Sequence, residues 1–476
     1  MTTARFEPDG PLLVVEGEGE RPASAVLEGA RVRVPARMTG RGRTWKARFP
    51  LTAARWGGEE LPLPSGEYRV SIDGVDVATT LPVRLLPGLR AGLEGGRLRV
   101  GPPVDPVYDE PEAQGALERR YISHTAPLED AVFFESFYGR NASCNPLAID
   151  RELARRAPQV VRYWSVVDLS VAVPDGAVAV VEGSPEWWRA RSVSRLLVVN
   201  DWLRRTFARR PGQRVVQTWH GTPLKRLALH RRGFAPRRWG AIVKESRRWD
   251  VLLAQNPYAA GILSRAYAFL RRPVWVEGYP RNDALVTGDA AAVRRRLGIR
   301  EGERVVLYAP TWRDDRERIV DFLDPARLAV DADAVVLVRG HSRTLIPGHD
   351  LEGPRVIDVT AYPDTAELLL AADELVTDYS SIMFDFSVTG KPMYFLAPDL
   401  EHYRGELRGF YFDLERRAPG PVVRNVEELI AALAADPSAY AGRYEAWRRR
   451  FNAREDGRAA ERVVARLLDQ GMIPGV

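Results

Sequence analysis

The sequence contains very little cysteine and histidine for its length. One cysteine, Cys144, and six histidines occur among 476 residues. A single cysteine excludes an intrachain disulfide framework and any zinc site built from several cysteines. No run approaches the roughly 20 apolar residues of a membrane span, and the amino terminus MTTARFEPDG lacks the basic-then-apolar order of a signal peptide. These absences predict a protein that stays in the cytoplasm.

The overall composition is that of an ordinary globular protein, with 45% hydrophobic and 28% charged residues. A chain of 476 residues is too long for one hydrophobic core, and its length predicts about three domains. The first, residues 1–105, has short alternating segments separated by turns roughly every ten residues, which predicts a small all-β domain resembling a sandwich. It contains no histidine or cysteine, so we expect an accessory role.

The remainder of the chain follows a different pattern. From residue 106 onward, apolar strand-like runs such as RLLVVN and DVLLAQ alternate with amphipathic helical stretches, which predicts parallel sheets of the α/β class. A second series, including RVVLYAP and AVVLVRG, begins after Gly278. We therefore predict two Rossmann-like domains, residues 106–285 and 286–476, facing a cleft. The helices at about 425–470 are expected to pack across the hinge.

The net charge of +6 is concentrated in part of the chain. Residues 225–248 read KRLALHRRGFAPRRWGAIVKESRR and include Phe234 and Trp239 among the basic residues. This stretch is compatible with a solvated helical face, with phosphate contacts to a nucleic acid, or with docking on an anionic membrane surface. Because no recognised nucleic-acid module accompanies it, the pattern favours the membrane surface.

The stretch RVVQTWHGTPLK, residues 214–225, holds the first candidate for chemistry. A short apolar run leads to His220 and then breaks at Gly221 and Pro223, which places an imidazole at the carboxyl end of a predicted strand. Ligands of open α/β sheets bind at that edge. A histidine there can take a proton from a hydroxyl nucleophile. Taken alone, the same residue is also compatible with a structural histidine in a turn.

Three later loops carry polar groups that are expected to reach the same cleft. YAPTWR and RGHSR each follow a predicted strand, and DYSS precedes the apolar run IMFDF. Ser380 and Ser381 would present hydroxyls and free backbone N–H groups at a helix start, an arrangement suited to phosphate. Plain helix capping is the alternative for these serines, and a solvent-facing loop is the alternative for His341.

The ordered set of motifs from about Ala131 onward resembles the CDP-glycerol glycerophosphotransferase family, which primes and polymerises wall teichoic acids. The resemblance rests on VFFESFYGRNASCNP, QTWHGTPLK, GYPRNDAL, LYAPTWRDD, VTDYSSIMFDFSVTGKPMYFLAPD and RGFYFDLE with PGPVV. It implies a glycosyltransferase-B-like fold with the CDP donor in the second Rossmann-like domain. The implied reaction is attack of an acceptor hydroxyl on the β-phosphorus of CDP-glycerol, with release of CMP.

The resemblance also implies roles for individual residues. His220 would be the general base, and His341 would stabilise charge on the diphosphate or the leaving CMP. The family usually shows His-Pro at the second position, whereas this chain has His341-Ser342. The residues implied to hold or adjoin the donor phosphates are Thr311, Trp312, Arg313, Asp378, Ser380 and Ser381. The residues implied to line the cleft or the acceptor side are Gly139, Asn141, Gly221, Thr222, Arg281 and Asn282.

The expected partners are a CDP-activated polyol, with either CDP-glycerol or CDP-ribitol as donor, and a lipid-linked or polymeric acceptor. Residues 225–248 are expected to dock on the inner face of the cell membrane, and nucleic acid is not expected as a partner. Asp314 and Asp315 are read as loop acids, so no metal or cofactor is predicted to be required. Two alternatives remain: a glycosyltransferase of the same fold that uses a nucleotide-sugar, and an inactive polymer-binding scaffold.

Overall fold

The computed structural model describes residues 2–7, 10–30, 32–233, 235–311, 322–340 and 355–474. The chain divides into two compact units. The first consists of Met1–Pro127, Tyr138–Ala142 and Tyr163–Val193, and the second of Leu128–Phe137, Ser143–Arg162 and Ser194–Val476. None of the helices in the described ranges combines the length and the apolar character that crossing a membrane requires.

The strands of the described residues are short, as is usual for globular proteins. In chain order they are β1 (Thr3–Phe6), β2 (Leu12–Glu18), β3 (Ala25–Gly29), β4 (Arg33–Pro35), β5 (Arg37–Arg41), β6 (Thr44–Pro50), β7 (Thr52–Ala54), β8 (Glu60–Pro62), β9 (Gly66–Ile72), β10 (Val75–Asp76), β11 (Leu81–Leu86), β12 (Leu89–Glu94), β13 (Arg97–Gly101), β14 (Glu129–Glu135), β15 (Val161–Val166), β16 (Val178–Val181), β17 (Ser194–Val199), β18 (Arg214–Gln217), β19 (Val251–Ala254), β20 (Val274–Val276), β21 (Val305–Tyr308), β22 (Val335–Val338), β23 (Val356–Asp358), β24 (Glu374–Thr377), β25 (Met393–Leu396) and β26 (Val422–Val423).

The α-helices of the described residues follow the predicted alternation with strands after residue 106. In chain order they are α1 (Pro111–Ile122), α2 (Cys144–Arg156), α3 (Pro185–Val193), α4 (Pro236–Ser246), α5 (Pro257–Ala266), α6 (Asp283–Thr287), α7 (Ala290–Arg296), α8 (Pro325–Asp331), α9 (Thr365–Ala371), α10 (Ile382–Phe386), α11 (Leu400–His402), α12 (Leu414–Arg417), α13 (Val426–Ala434), α14 (Ala441–Phe451) and α15 (Ala459–Asp469).

The first unit is built mainly from antiparallel sheets with the strand orders β1-β2-β6-β5 and β11-β12-β13-β9-β3-β4. Alternation along β6 buries Trp45, Ala47 and Phe49. These side chains share one hydrophobic core with Leu27 and Val70 of the other sheet, as expected for two sheets that each have one apolar face. The predicted small all-β region is confirmed. This unit also contains the parallel pair β15–β16 and the helices α1 and α3.

The second unit contains parallel strands in the orders β14-β17-β18-β19-β20 and β23-β22-β21-β24-β25-β26. Every residue of β21, β22, β24 and β25 is buried. Strands of this kind belong to sheets covered by helices on both faces. The parallel sheets that the alternating pattern predicted are therefore confirmed, and the domain limits at residues 285 and 286 stay a prediction.

The carboxyl-terminal helices and the turn between them contact helices that follow strands of both sheets within the second unit. The backbone N–H groups of Ala459 and Ala460, at the start of α15, donate to the Asp283 carboxylate at 2.9 and 2.8 Å. Between α14 and α15, the Asn452 side chain donates to the carbonyl of Phe384 in α10 at 2.9 Å. These contacts attach the end of the chain to the segment that follows β20 and to the helix that follows β24.

Candidate active site

A cavity of about 330 Å³ lies where strands of both parallel sheets of the second unit end. Its walls come from the segments that follow β14, β18, β20, β21, β22 and β24 and from α9. The carboxyl edge of a parallel sheet is where ligands of this fold class bind. The lining residues are Phe137, His220, Arg281, Asn282, Ala309, Pro310, Arg339, Gly340, Thr365, Ala366, Leu369, Ser380, Ser381, Ile382 and Asp385.

His220 reaches this cavity through a tight turn after β18. Trp219 precedes it with a φ of 54°, in the left-handed region that is unusual for a bulky residue. Two bonds hold the turn: the Trp219 N–H donates to Gln217 Oε1 at 2.9 Å, and Asn145 Nδ2 donates to the Trp219 carbonyl at 3.0 Å. The imidazole stacks on the Trp219 ring with 4.8 Å between the ring centroids. Backbone strain that neighbouring groups hold in place is typical of functional sites.

The surroundings of His220 keep its ring neutral. Nδ1 lies 2.6 Å from the backbone carbonyl of Asn200. Because a carbonyl only accepts, Nδ1 carries the proton and Nε2 keeps its lone pair. Burial lowers the pKa of His220, and the opposing effects of Asp201 and of the Asn200 carbonyl are smaller. The ring is therefore unprotonated at neutral pH, with Nε2 available as a base.

An ion pair between Arg281 and Asp385 supports the His220 loop. Arg281 Nη2 lies 2.6 Å from Asp385 Oδ2, and the two side chains are only 12% and 5% exposed. Arg281 Nη1 donates to the backbone carbonyl of His220 at 3.1 Å. Asn282 Nδ2 donates to the other carboxylate oxygen of Asp385 at 2.9 Å. Arg281 and Asn282, both predicted to lie at the cleft, thus connect the His220 loop to α10.

Ser380 and Ser381 also line the cavity. Ser381 stands immediately before α10, but its side chain makes no capping hydrogen bond with that helix. The Ser380 hydroxyl accepts a long hydrogen bond, 3.4 Å, from the Ile382 N–H. A Cβ atom built on Gly221 would lie 2.6 Å from the Ser381 hydroxyl. Glycine at position 221 therefore permits the close approach of the His220 loop to Ser381.

Asp378 and Thr311 join the loops that follow β24 and β21. The Thr311 N–H donates to both carboxylate oxygens of Asp378, at 2.9 and 3.0 Å. Asp378 is buried. A buried carboxylate would repel a phosphate placed beside it, whereas its bonds to a backbone N–H hold the two loops in register. These bonds are those of a positioning residue, and the predicted place of Asp378 close to the donor phosphates stays a prediction.

The other predicted site residues lie in several places. Thr222 is buried; its hydroxyl donates to Gln255 Oε1 and accepts from Asn256 Nδ2. Gly139 and Asn141 belong to the first unit, and Gly139 has a φ of 74°. Their predicted roles at the cleft stay predictions.

Several predicted residues fall outside the described part of the chain. They are Trp312, Arg313 and His341, together with the acids Asp314 and Asp315. Among the residues that are described, no group of three or more His, Cys, Asp or Glu side chains is placed to hold a metal ion. Cys144 is a buried free thiol, and its sulfur accepts from Arg281 Nη1 at 3.0 Å.

Two charged residues that line the cavity, Arg339 and Asp385, had no role of their own in the predictions from the sequence. Arg339 directly follows β22, so the signal that identified His220, a polar residue at a strand end, was present there too. Asp385 is the only charged residue in the apolar run IMFDF. A carboxylate within an apolar run requires a buried partner. The run itself does not indicate which residue that partner is, and Arg281 lies far away in the sequence.

Known proteins are similar to this chain in both sequence and fold. Residues 120–469 match the family described as CDP-glycerol:poly(glycerophosphate) glycerophosphotransferase. A teichoic acid glycerol-phosphate transferase of Staphylococcus aureus (strain NCTC 8325 / PS 47) is 36% identical over 375 residues, which cover 71% of this chain and 92% of the relative. A teichoic acid poly(glycerol phosphate) polymerase of Bacillus subtilis (strain 168) is 36% identical over 70% of this chain. The match spans only about half of that polymerase, 48%.

Solved structures indicate the same family as these relatives. The structure of the wall teichoic acid polymerase TagF superposes with a TM-score of 0.68 at 30% identity, covering 75% of this chain and 94% of that one. The predicted glycosyltransferase-B-like fold with a small all-β region in front is confirmed, and so is the predicted family of transferases. The chain belongs to the CDP-glycerol:poly(glycerophosphate) glycerophosphotransferase family.

Proposed function

We propose that this protein transfers glycerol phosphate from CDP-glycerol to an acceptor hydroxyl in the synthesis of a teichoic-acid-like polymer, with release of CMP. The observation that carries the proposal is the neutral imidazole of His220 in a cavity that also contains hydroxyls and arginines. Family membership supports the choice of donor. A solved structure of a TagF variant soaked with CDPG also supports a CDP-linked donor.

In the proposed step, His220 Nε2 removes the proton of the acceptor hydroxyl as its oxygen attacks the β-phosphorus. The new P–O bond forms the phosphodiester, the bond to the bridging oxygen breaks, and CMP leaves with that oxygen. The Asn200 carbonyl, which accepts from Nδ1, stabilises the imidazolium that results. Such phosphoryl transfers depend mainly on positioning and on charge stabilisation.

The roles proposed for the other residues are likewise either phosphate binding or positioning. Ser380 and Ser381 offer hydroxyls to the donor phosphates, and Arg281 and Asn282 hold the His220 loop in place. Arg313 at the phosphates and His341 at the leaving group keep their roles from the family resemblance, as do Trp312, close to the phosphates, and Gly139 and Asn141, on the acceptor side.

The decisive experiment is donor screening with purified protein and a polymeric acceptor. CMP release is measured with labelled CDP-glycerol, CDP-ribitol and common nucleotide-sugars. We expect turnover of CDP-glycerol. Turnover of a nucleotide-sugar alone would replace the proposal with glycosyl transfer, and binding of CDP-glycerol without any turnover would indicate a scaffold.

We further propose that residues 225–248 dock on the inner, anionic face of the cell membrane, where a lipid-linked acceptor would be presented. Trp239 on α4 is 37% exposed; Lys244 on the same helix and Arg247, directly after its end, are also exposed. Aromatic and basic side chains are the residues that settle at a lipid interface.

Sedimentation with vesicles tests this docking. The double variant Lys244→Gln/Arg247→Gln should bind anionic vesicles more weakly than the wild type. A control variant, Arg41→Gln/Arg43→Gln, removes two exposed charges from the first unit and should bind normally. Binding that depends on neither anionic lipid nor salt would refute the proposal.

A further inference from the structure

The two arginines of the cavity differ in how their charges are balanced. Arg281 is neutralised by Asp385 at 2.6 Å. Arg339 also lines the cavity, but no carboxylate in the described part of the chain forms an ion pair with it. The cavity therefore contains one guanidinium whose charge no residue in the described ranges compensates at contact distance.

Arg339 is held in place by backbone carbonyls. Its Nη1 donates to the carbonyls of Val359 and Tyr362 at 3.2 and 3.0 Å. Carbonyls orient a guanidinium but bring no net negative charge. Within the described ranges, the acid that acts on it electrostatically is Asp364, whose Oδ1 accepts from the Ala366 N–H at 3.0 Å. Burial lowers the pKa of Arg339 to about 10, so the group stays charged at neutral pH.

A fixed, desolvated positive charge in the wall of a cavity is costly unless an anion accompanies it. Guanidinium groups pair well with phosphate, since their N–H donors match two phosphate oxygens. The hydroxyls of Ser380 and Ser381, which follow β24, line the same cavity as Arg339, which follows β22.

We propose that Arg339 is the counter-ion of the donor's diphosphate group, binding its oxygens in the ground state and balancing the charge that collects on CMP as it leaves. This inference rests on the proposed function, because it takes the cavity to be the donor site. It adds a ligand-binding residue that the phosphate-binding residues predicted from the sequence did not include.

The test separates phosphate recognition from a merely structural role. Affinities for cytidine, CMP, CDP and CDP-glycerol are measured by calorimetry for the wild type, Arg339→Lys and Arg339→Gln. Loss of a hydrogen bond to a charged group corresponds to a loss of affinity of about 10- to 100-fold. We expect that loss in Arg339→Gln for CDP and CDP-glycerol, a smaller loss in Arg339→Lys, and unchanged affinity for cytidine. The control Arg327→Gln, on the exposed face of α8, should match the wild type for all four ligands.

Equal weakening of cytidine and CDP would overturn the inference, since Arg339 would then only support residues 359–362. Unchanged CDP affinity in a folded Arg339→Gln variant would also overturn it. The proposed function fails separately if the wild type does not bind CDP-glycerol. In that event inorganic diphosphate serves as the probe: Arg339-dependent binding would uphold the anion site, and its absence would refute the site as well.

Discussion

Replacing Asp385 by Asn tests whether the buried ion pair between Arg281 and Asp385 positions the His220 loop. The substitution keeps the shape of the side chain but removes the charge that Arg281 meets at 2.6 Å. Arg281 would then be a buried cation without its partner. Since Arg281 also donates to the backbone carbonyl of His220 at 3.1 Å, any shift of its guanidinium moves the His220 loop.

The expected magnitude follows from burial. Exposed ion pairs contribute about 0–1 kcal/mol, whereas removing one partner of a buried pair costs about 3–5 kcal/mol. Exposures of 12% and 5% place Arg281–Asp385 in the buried class. Because Asn can still accept one hydrogen bond, we expect Asp385→Asn to lower the free energy of unfolding by about 3 kcal/mol. Displacement of the His220 loop should reduce kcat roughly 10- to 100-fold.

Urea unfolding measures the loss of stability. CMP release from CDP-glycerol under native conditions measures the loss of kcat. Glu374→Gln is the matched control, because Glu374 pairs with Arg304 at 2.7 Å at the opposite, amino end of the same sheet. The control should lose stability but keep kcat per folded molecule. A loss below about 1 kcal/mol in Asp385→Asn would refute the burial argument. A normal kcat in a destabilised variant would refute the link to His220.

Other predictions concern the same unit. His220→Ala should lower the transfer rate by about 10²- to 10⁴-fold with CDP-glycerol affinity retained, and near-normal turnover would remove the general-base assignment. Since burial lowers the pKa of His220 below its ordinary 6.5, activity should persist at pH 6.5 and fall only as the pH drops through that lower value; a profile with a midpoint above 6.5 would contradict this. Gly221→Ala places a Cβ 2.6 Å from the Ser381 hydroxyl and should cost about 1–3 kcal/mol in urea unfolding, part of which Ser381→Gly restores; no restoration would show that the strain lies elsewhere. Burial raises the pKa of Glu455 to about 8, so its contribution to stability is lost as the pH rises from its unfolded value through 8; Glu455→Gln should flatten that decline, and an unchanged decline would assign it to another group.

The secondary structure of the second unit could be predicted largely from apolar runs. Runs such as VVLY and VVLV became β21 and β22 because a strand covered on both faces needs apolar residues at every position. The strands β20 and β26, of three and two residues, were not predicted. Segments this short carry too little pattern to separate from loops, and only pairing with a neighbouring strand defines them.

Part of the site could also be predicted from the order of strands in the sequence. His220, Ser380 and Ser381 follow strands in the sequence, and the carboxyl ends of parallel strands meet at one edge, so their convergence on one cavity follows from topology. The residues that support His220 and the two serines were harder to predict from the sequence. The family resemblance implied Thr222 as a cleft residue, and only the structure shows that its hydroxyl makes buried contacts with Gln255 and Asn256.

The sequence by itself determined the family, the alternation of strands and helices, and the position of an imidazole at a strand end. Only the tertiary structure decided which charges are balanced. Arg281 and Asp385 lie 104 residues apart and neutralise each other, whereas Arg339 has no such partner in the described ranges. Local pattern reports which residues are buried, but the energy of a buried charge depends on groups that folding brings to within a few ångströms, and that information is absent from any short stretch of sequence.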